Sequence, residues 1–218
     1  MGVFVNFCAG TKANILPAKD VDAILVNVPY NGIGAKAIND TNLMFDYAAC
    51  EYRFLDTGGY QYAVAEADGK EIINDSSQPA ICDKTTLNLT LDHVFYAMVN
   101  LNITMANAMD FPIKKHRTDE ENTFEFHKKV GFNLHWARES ARLKNLYCPE
   151  VELFLPIQCY NLGQLNYFLD HLGPVEFDGY SIPTRNFSIN ELALFLLQFY
   201  QLGISKVHIL GTSQFFTI

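Results

Sequence analysis

Charge is scarce in this chain. Only 18% of its 218 residues are Asp, Glu, Lys or Arg, whereas 49% are hydrophobic and 13% aromatic. A disordered segment needs the opposite balance, so disorder as the main state is excluded. Long apolar runs are missing as well. No stretch of about 18 consecutive apolar residues occurs, which removes a membrane-spanning helix. The N-terminus lacks the basic, apolar and small-residue succession of a signal peptide, so a cytoplasmic protein is expected. Cysteine is sparse and odd in number: Cys8, Cys50, Cys82, Cys148 and Cys159. They are widely spaced, without a C-x-x-C pair or a Cys/His cluster, which argues against a structural zinc site and for reduced thiols. The six histidines are scattered too. No metal is expected.

Positive charge is the minority sign, 16 basic against 24 acidic residues, a net charge of −8. That excludes a surface coated in nucleic-acid contacts but says nothing of distribution. Eight of the 16 (Lys114, Lys115, Arg117, Lys128, Lys129, Arg138, Arg142 and Lys144) fall within 31 residues. Asp119, Glu120, Glu121, Glu125 and Glu139 dilute the run. A local basic face is one reading of it. A solvated charged helix is the other, and the commoner.

What the chain does have is alternation. Short β-rich segments at Val3–Phe7, Asp22–Val28, Tyr52–Asp56, Ile103–Asp110, Glu152–Gln158, Phe177–Ile182 and Lys206–Gly211 are separated by helical patterns. Ala23-Ile24-Leu25-Val26 and Leu153-Phe154-Leu155-Pro156-Ile157 are continuous apolar runs, as in parallel strands covered on both faces. Thr118-x-x-Glu121 is a capping box that opens a helix running to about Lys144, with Phe126, Val130, Leu134, Ala137 and Ala141 on its buried face. A second helix runs from Asn161 to Leu172 and stops at Gly173. Ser188-x-x-Glu191 caps a third that ends before Gly203. Ala67 to Leu89, polar and turn-rich, reads as a long loop or insertion.

Such alternation predicts parallel βαβ units. Seven strands in one domain over residues 1–218 point to a (β/α)8 TIM barrel, and the expectation is a barrel lacking its eighth βα unit. Polar residues collect where the strands end: Asn27, Asp56, Asp110, Gln158, then Thr212 and Ser213. In a (β/α)8 barrel those ends line one mouth, where active sites are built. Two carboxylates and an amide there suit a ligand rich in donors and acceptors, such as a purine-like base. Each also has a plainer reading, as a helix N-cap or a partner for a rim backbone group.

Taken in order, the landmarks carry a resemblance. Phe54-Leu55-Asp56-Thr57-Gly58-Gly59-Tyr60-Gln61 resembles the Asp-Ser-Gly-Gly-Phe/Tyr-Gln signature of the tRNA-guanine transglycosylase superfamily. Gly10-Thr11, Ala23 to Tyr30, Met105 to Asp110, His135-Trp136-Ala137-Arg138, Ile157-Gln158, Asp178-Gly179-Tyr180-Ser181-Ile182 and Ile209-Leu210-Gly211 are similar to further family segments, in family order. The resemblance covers nearly the whole chain and extends to the branch that places 7-deazaguanine in DNA.

It implies a (β/α)8 barrel of transglycosylase type and base exchange on a nucleic acid, tRNA or DNA: guanine leaves and a 7-deazaguanine takes its place. Carried over by position, Asp56 is the catalytic acid/base. Asp110 and Gln158 hold the base edge, Tyr60 and Leu210 cover its faces, and Gln61 belongs to the same substrate-binding motif. The departures have implications too. The family nucleophile on strand eight and the zinc site beyond it have no counterpart in these 218 residues. Phe177-Asp178 … Pro183-Thr184-Arg185 mimics the nucleophile segment but sits where strand six belongs, which puts Asp178 at the far end of the barrel. Cys159-Tyr160 and Pro183-Thr184-Arg185 stand where the family has glycines. Two rivals therefore remain beside the exchange enzyme: a non-catalytic base- or nucleic-acid-binding paralogue or partner subunit, and an unrelated (β/α)8 enzyme with an ordinary carboxylate acid/base pair. A homodimer is compatible with all three.

Overall fold

The computed structural model describes residues 22–43, 47–59, 90–184 and 187–210, with short pieces at 5, 7–9, 64, 66–67, 72–75 and 78–81. The chain is mixed α/β and divides into two compact units, Met1–Asn107 with Arg142–Glu152, and Ala108–Ala141 with Leu153–Ile218.

The first unit holds strands β1 (Cys8–Ala9), β2 (Ala23–Asn27), β3 (Tyr52–Asp56) and, after an antiparallel hairpin of β4 (Ile72–Asp75) with β5 (Gln78–Ile81), strand β6 (Met105–Asn107). β1, β2, β3 and β6 lie side by side in that order and all run parallel. Helix α1 (Ala35–Asn42) connects β2 to β3, and α2 (Leu91–Asn100) leads into β6. β2 is apolar on both faces, with Ala23, Ile24 and Val26 buried, as its unbroken hydrophobic run requires. Its register sets Asn27 directly beside Asp56. The backbone ladder continues past the strands: the Thr104 amide donates to Arg53 O at 3.0 Å, and the Glu152 amide to Thr104 O at 3.0 Å.

The second unit holds nearly all of α3 (Asp119–Tyr147) and β7 (Glu152–Pro156), followed by α4 (Leu162–Leu172), β8 (Gly179–Pro183), α5 (Ile189–Gln201) and β9 (Val207–Leu210). β7, β8 and β9 are again parallel neighbours in chain order. Phe126, Val130, Leu134 and Ala137 of α3 pack with Leu155, Ile157 and Ile182 of the sheet side and with Leu165, Phe168, Leu192, Phe195 and Phe199 of α4 and α5. Gly179 is where the sheet needs no side chain. A Cβ there would sit 2.4 Å from Cε1 of Phe154, its partner in the neighbouring strand.

In each unit the parallel strands follow one another without the order reversal of a doubly wound sheet. That is how (β/α) barrels are assembled. Three expectations need correction. The first strand lies at Cys8–Ala9, past Val5 and Phe7, while Val3, Phe4 and Asn6 fall outside the described residues. The stretch read as a long loop or insertion, Ala67 to Leu89, is not all loop: it contains the β4–β5 hairpin. The 103–110 segment is strand only over Met105–Asn107, after which the chain turns into a loop that carries Asp110. No helix among the described residues is long and apolar enough to cross a membrane.

Candidate functional site

Two polar clusters follow from these strand ends, one in each unit.

In the first unit, Asp56 closes β3. Asn27, at the end of β2, donates from Nδ2 to Asp56 Oδ2 at 2.7 Å. Asn107, at the end of β6, and the amides of Thr57 and Gly58 also hydrogen-bond the carboxyl. Gly58 has φ 94°, a backbone region open to glycine, and this turn brings its N–H back toward Asp56. Asn27 and Asn107 are buried; Asp56 keeps some residue exposure, but its carboxyl is deep enough that desolvation dominates. Burial pushes the carboxyl above the ordinary carboxylate range, against the pull of Asn27, Gly58, Asn107 and Thr57, which favour the charged form. Asn27 is itself fixed, its amide N–H donating to Asn31 Oδ1 at 2.9 Å, while Asn31 Nδ2 donates to Thr41 Oγ1 at 3.2 Å. Asn27 Oδ1 is buried and has no hydrogen-bond partner among the described residues. An acid held in this way is suited to proton transfer.

In the second unit, Asp110 and Gln158 meet. Gln158 Nε2 donates to Asp110 Oδ2 at 2.5 Å, and both residues are buried. Gln158 cannot turn its amide around without loss, because its Oε1 accepts the Ile113 N–H at 3.1 Å. The pair therefore joins an amide donor to a carboxylate acceptor below the surface.

The loop that carries Asp110 is moulded by α3. Beyond its apolar face, this helix buries a second, polar stripe: Asn122, Glu125, Lys129, Asn133 and Ser140. Ser140 Oγ accepts the Met109 N–H at 3.1 Å. Asn133 Oδ1 accepts the Phe111 N–H at 2.6 Å, and its Nδ2 donates to Phe111 O at 3.1 Å. Lys129 Nζ donates to Pro112 O at 2.8 Å, and Asn122 Oδ1 accepts the His116 N–H at 2.8 Å. From beyond β7, Tyr160 donates its hydroxyl to Lys114 O at 2.6 Å. A buried loop must satisfy its backbone groups; past Ala108, whose N–H still donates to Phe154 O at 2.8 Å, this one does so largely with side chains.

Lys129 corrects the picture of a uniformly solvated charged helix. It is 1% exposed, paired with Glu125 at 2.6 Å and seated 4.5 Å from the centre of the Phe111 ring. Sequence reasoning missed the whole stripe. The available signal was Asn122, Lys129, Asn133 and Ser140 recurring at one- or two-turn spacings of seven, four and seven residues beside the apolar positions.

The other candidates are distributed as follows. Leu210 ends β9, half-buried, its carbonyl accepting from Thr184 Oγ1 at 2.9 Å. Asp178 precedes β8 and is exposed; its Oδ2 accepts the Leu153 N–H at 2.8 Å. That puts it at the N-terminal edge of the sheet, whereas Gln158 lies past the C-terminal end of β7. Cys159 and Tyr160, which follow Gln158, are buried, and burial pushes the Cys159 thiol well up, away from thiolate chemistry. Tyr60 and Gln61, like Gly10, Thr11, Arg185, Gly211, Thr212 and Ser213, lie outside the described residues. No protein-family model matches the chain, and no curated protein matches it.

Proposed function

We propose that the chain binds a guanine-type base through Asp110 and Gln158, and that it is built as a (β/α)8 protein of transglycosylase type acting in base exchange on tRNA or DNA. The observation that carries the reading is the buried Gln158–Asp110 contact with the amide orientation locked by Ile113. A guanine or 7-deazaguanine edge offers one acceptor, O6, next to two donors, N1–H and the 2-amino group. Gln158 Nε2 suits the first and the Asp110 carboxylate the other two. Adenine, with a donor at position 6, would meet the Gln158 donor and leave both unsatisfied. Asp56, held above the ordinary carboxylate range by burial, supports a role in moving a proton.

A second reading, a base binder that does not exchange, is supported by Asp178. The one carboxylate in a nucleophile-like segment is engaged with the Leu153 amide at the strand edge away from Gln158. Calorimetry tests the binding common to both. Guanine and 7-deazaguanine should bind and adenine should not, and Asp110→Asn should weaken guanine by about 1.5–3 kcal/mol, as expected for a hydrogen bond to a charged group. Unchanged affinity in Asp110→Asn would place the base elsewhere. Incubation with labelled guanine and tRNA or DNA then separates the readings: incorporation supports exchange, and binding without incorporation supports the binder.

A further inference from the structure

We propose that Asn133 of α3 is a positioning residue that aims the Asp110 carboxylate and thereby sets selectivity for bases with a 2-amino group. The inference rests on the base-binding reading above and deepens it.

Asp110 sits in a loop whose neighbouring residues are gripped on both sides by one helix. Ser140 takes the Met109 N–H at 3.1 Å, and Asn133 takes both polar backbone groups of Phe111, its N–H at 2.6 Å and its carbonyl at 3.1 Å. A two-point grip of this kind fixes a peptide's rotation as a neighbouring strand would, and it does so at the residue next to Asp110. The Phe111 side chain is fixed as well, with Trp136 edge-on at 5.9 Å and the Lys129 ammonium 4.5 Å from the ring centre. Asn133 is buried, so water does not compete for these bonds. Leucine would pack there at similar volume and hold neither group.

Selectivity follows from geometry. A carboxylate held at the right angle accepts from N1–H and the 2-amino group together, whereas one free to rotate keeps a single bond to N1–H. Hypoxanthine has the N1–H and the 6-oxo group of guanine but no 2-amino group. Loosening Asp110 should therefore cost guanine more than hypoxanthine. A merely structural role for Asn133 would weaken both alike.

The test is calorimetry of guanine and hypoxanthine on the full chain, comparing the parent with Asp110→Asn, Asn133→Leu and Asn133→Asp, alongside hydrogen exchange at the Phe111 amide. Asn133→Leu should lower guanine affinity about tenfold or more, the worth of one hydrogen bond to a charge, with a smaller loss for hypoxanthine and faster exchange at Phe111. Asn133→Asp keeps the acceptor for the Phe111 N–H and loses the donor to its carbonyl. It should fall between parent and Asn133→Leu, and it carries the measurement if Asn133→Leu does not fold. Equal losses for the two bases, or none, with Asp110→Asn still impaired, would overturn the positioning role and leave the base reading intact. A parent that binds neither base would overturn the base reading and the inference with it.

Discussion

A single carboxyl shows how burial and hydrogen bonding compete at one residue. Asp56 receives hydrogen bonds from Asn27, Asn107 and two backbone amides, all favouring its charged form, yet desolvation outweighs them and raises its pKa. The consequence for stability has a definite sign. Below the unfolded-state value, about pH 4, both states hold the proton and Asp56 exerts no penalty. As the pH rises further the unfolded chain ionises first, so stability is lost until the pH has passed the raised folded-state value, and is level beyond it. Asp56→Asn has no proton to lose. Its stability relative to the parent should therefore climb across that window, as read from urea unfolding of both proteins at pH 4 to 8. A parent that gains on the variant as pH rises would mean that these hydrogen bonds outweigh desolvation and hold the folded-state pKa below the unfolded one.

At the scale of the element, helix ends show which local signals suffice. α5 starts at a complete capping box: Ser188 Oγ accepts the Glu191 N–H at 3.3 Å, and Glu191 Oε2 accepts the Ser188 N–H at 2.6 Å. Ser188→Ala should cost about 1 kcal/mol, seen as a lower urea midpoint at unchanged slope. The Ser188 amide, more than Lys115, holds the Glu191 carboxyl below its ordinary range, so this cap is complete at neutral pH and weakens as the pH falls. Thr118, Asn161 and Ser188 are visible in the sequence because their partners are the expected ones. α2 is not, because Thr90 is answered by His93 Nδ1 at 3.3 Å where Glu or Gln is the usual residue. The β4–β5 hairpin hid for a related reason: Asn74, Asp75 and Pro79 are turn formers that sit inside its strands. Strand ends brought Asp110 and Gln158 into one polar set with Asn27 and Asp56, but their pairing was singled out only by the resemblance, and Asp110 lies in a loop beyond β6. The stripe that holds that loop was not legible, because Lys129 and Glu125 count as surface charge until a loop is seen to bury them.

At the scale of the whole molecule, net charge and local charge pull apart. A chain at −8 repels a polyanion at long range, so the proposed nucleic-acid binding would have to come from places where positive charge is concentrated. Half of the basic residues lie between Lys114 and Lys144, but the structure narrows what is usable. Lys129 is buried, and Lys115 lies 3.5 Å from Glu191. Lys114 and Arg117 are exposed on the loop that carries Asp110, just ahead of the acidic first turn of α3. Should the proposed base arrive at Asp110 on a nucleic acid, these two would be, Lys115 apart, the nearest exposed cations along that loop to meet its phosphates. Binding of labelled tRNA or DNA, followed by anisotropy, should weaken steeply as salt rises, because each neutralised phosphate releases counterions. Lys114→Gln and Arg117→Gln should each flatten the slope of log K against log salt by about one, while free guanine binds as before. A slope unchanged by both substitutions would move the phosphate path to another face, and an affinity indifferent to salt would remove nucleic acid from the reading altogether.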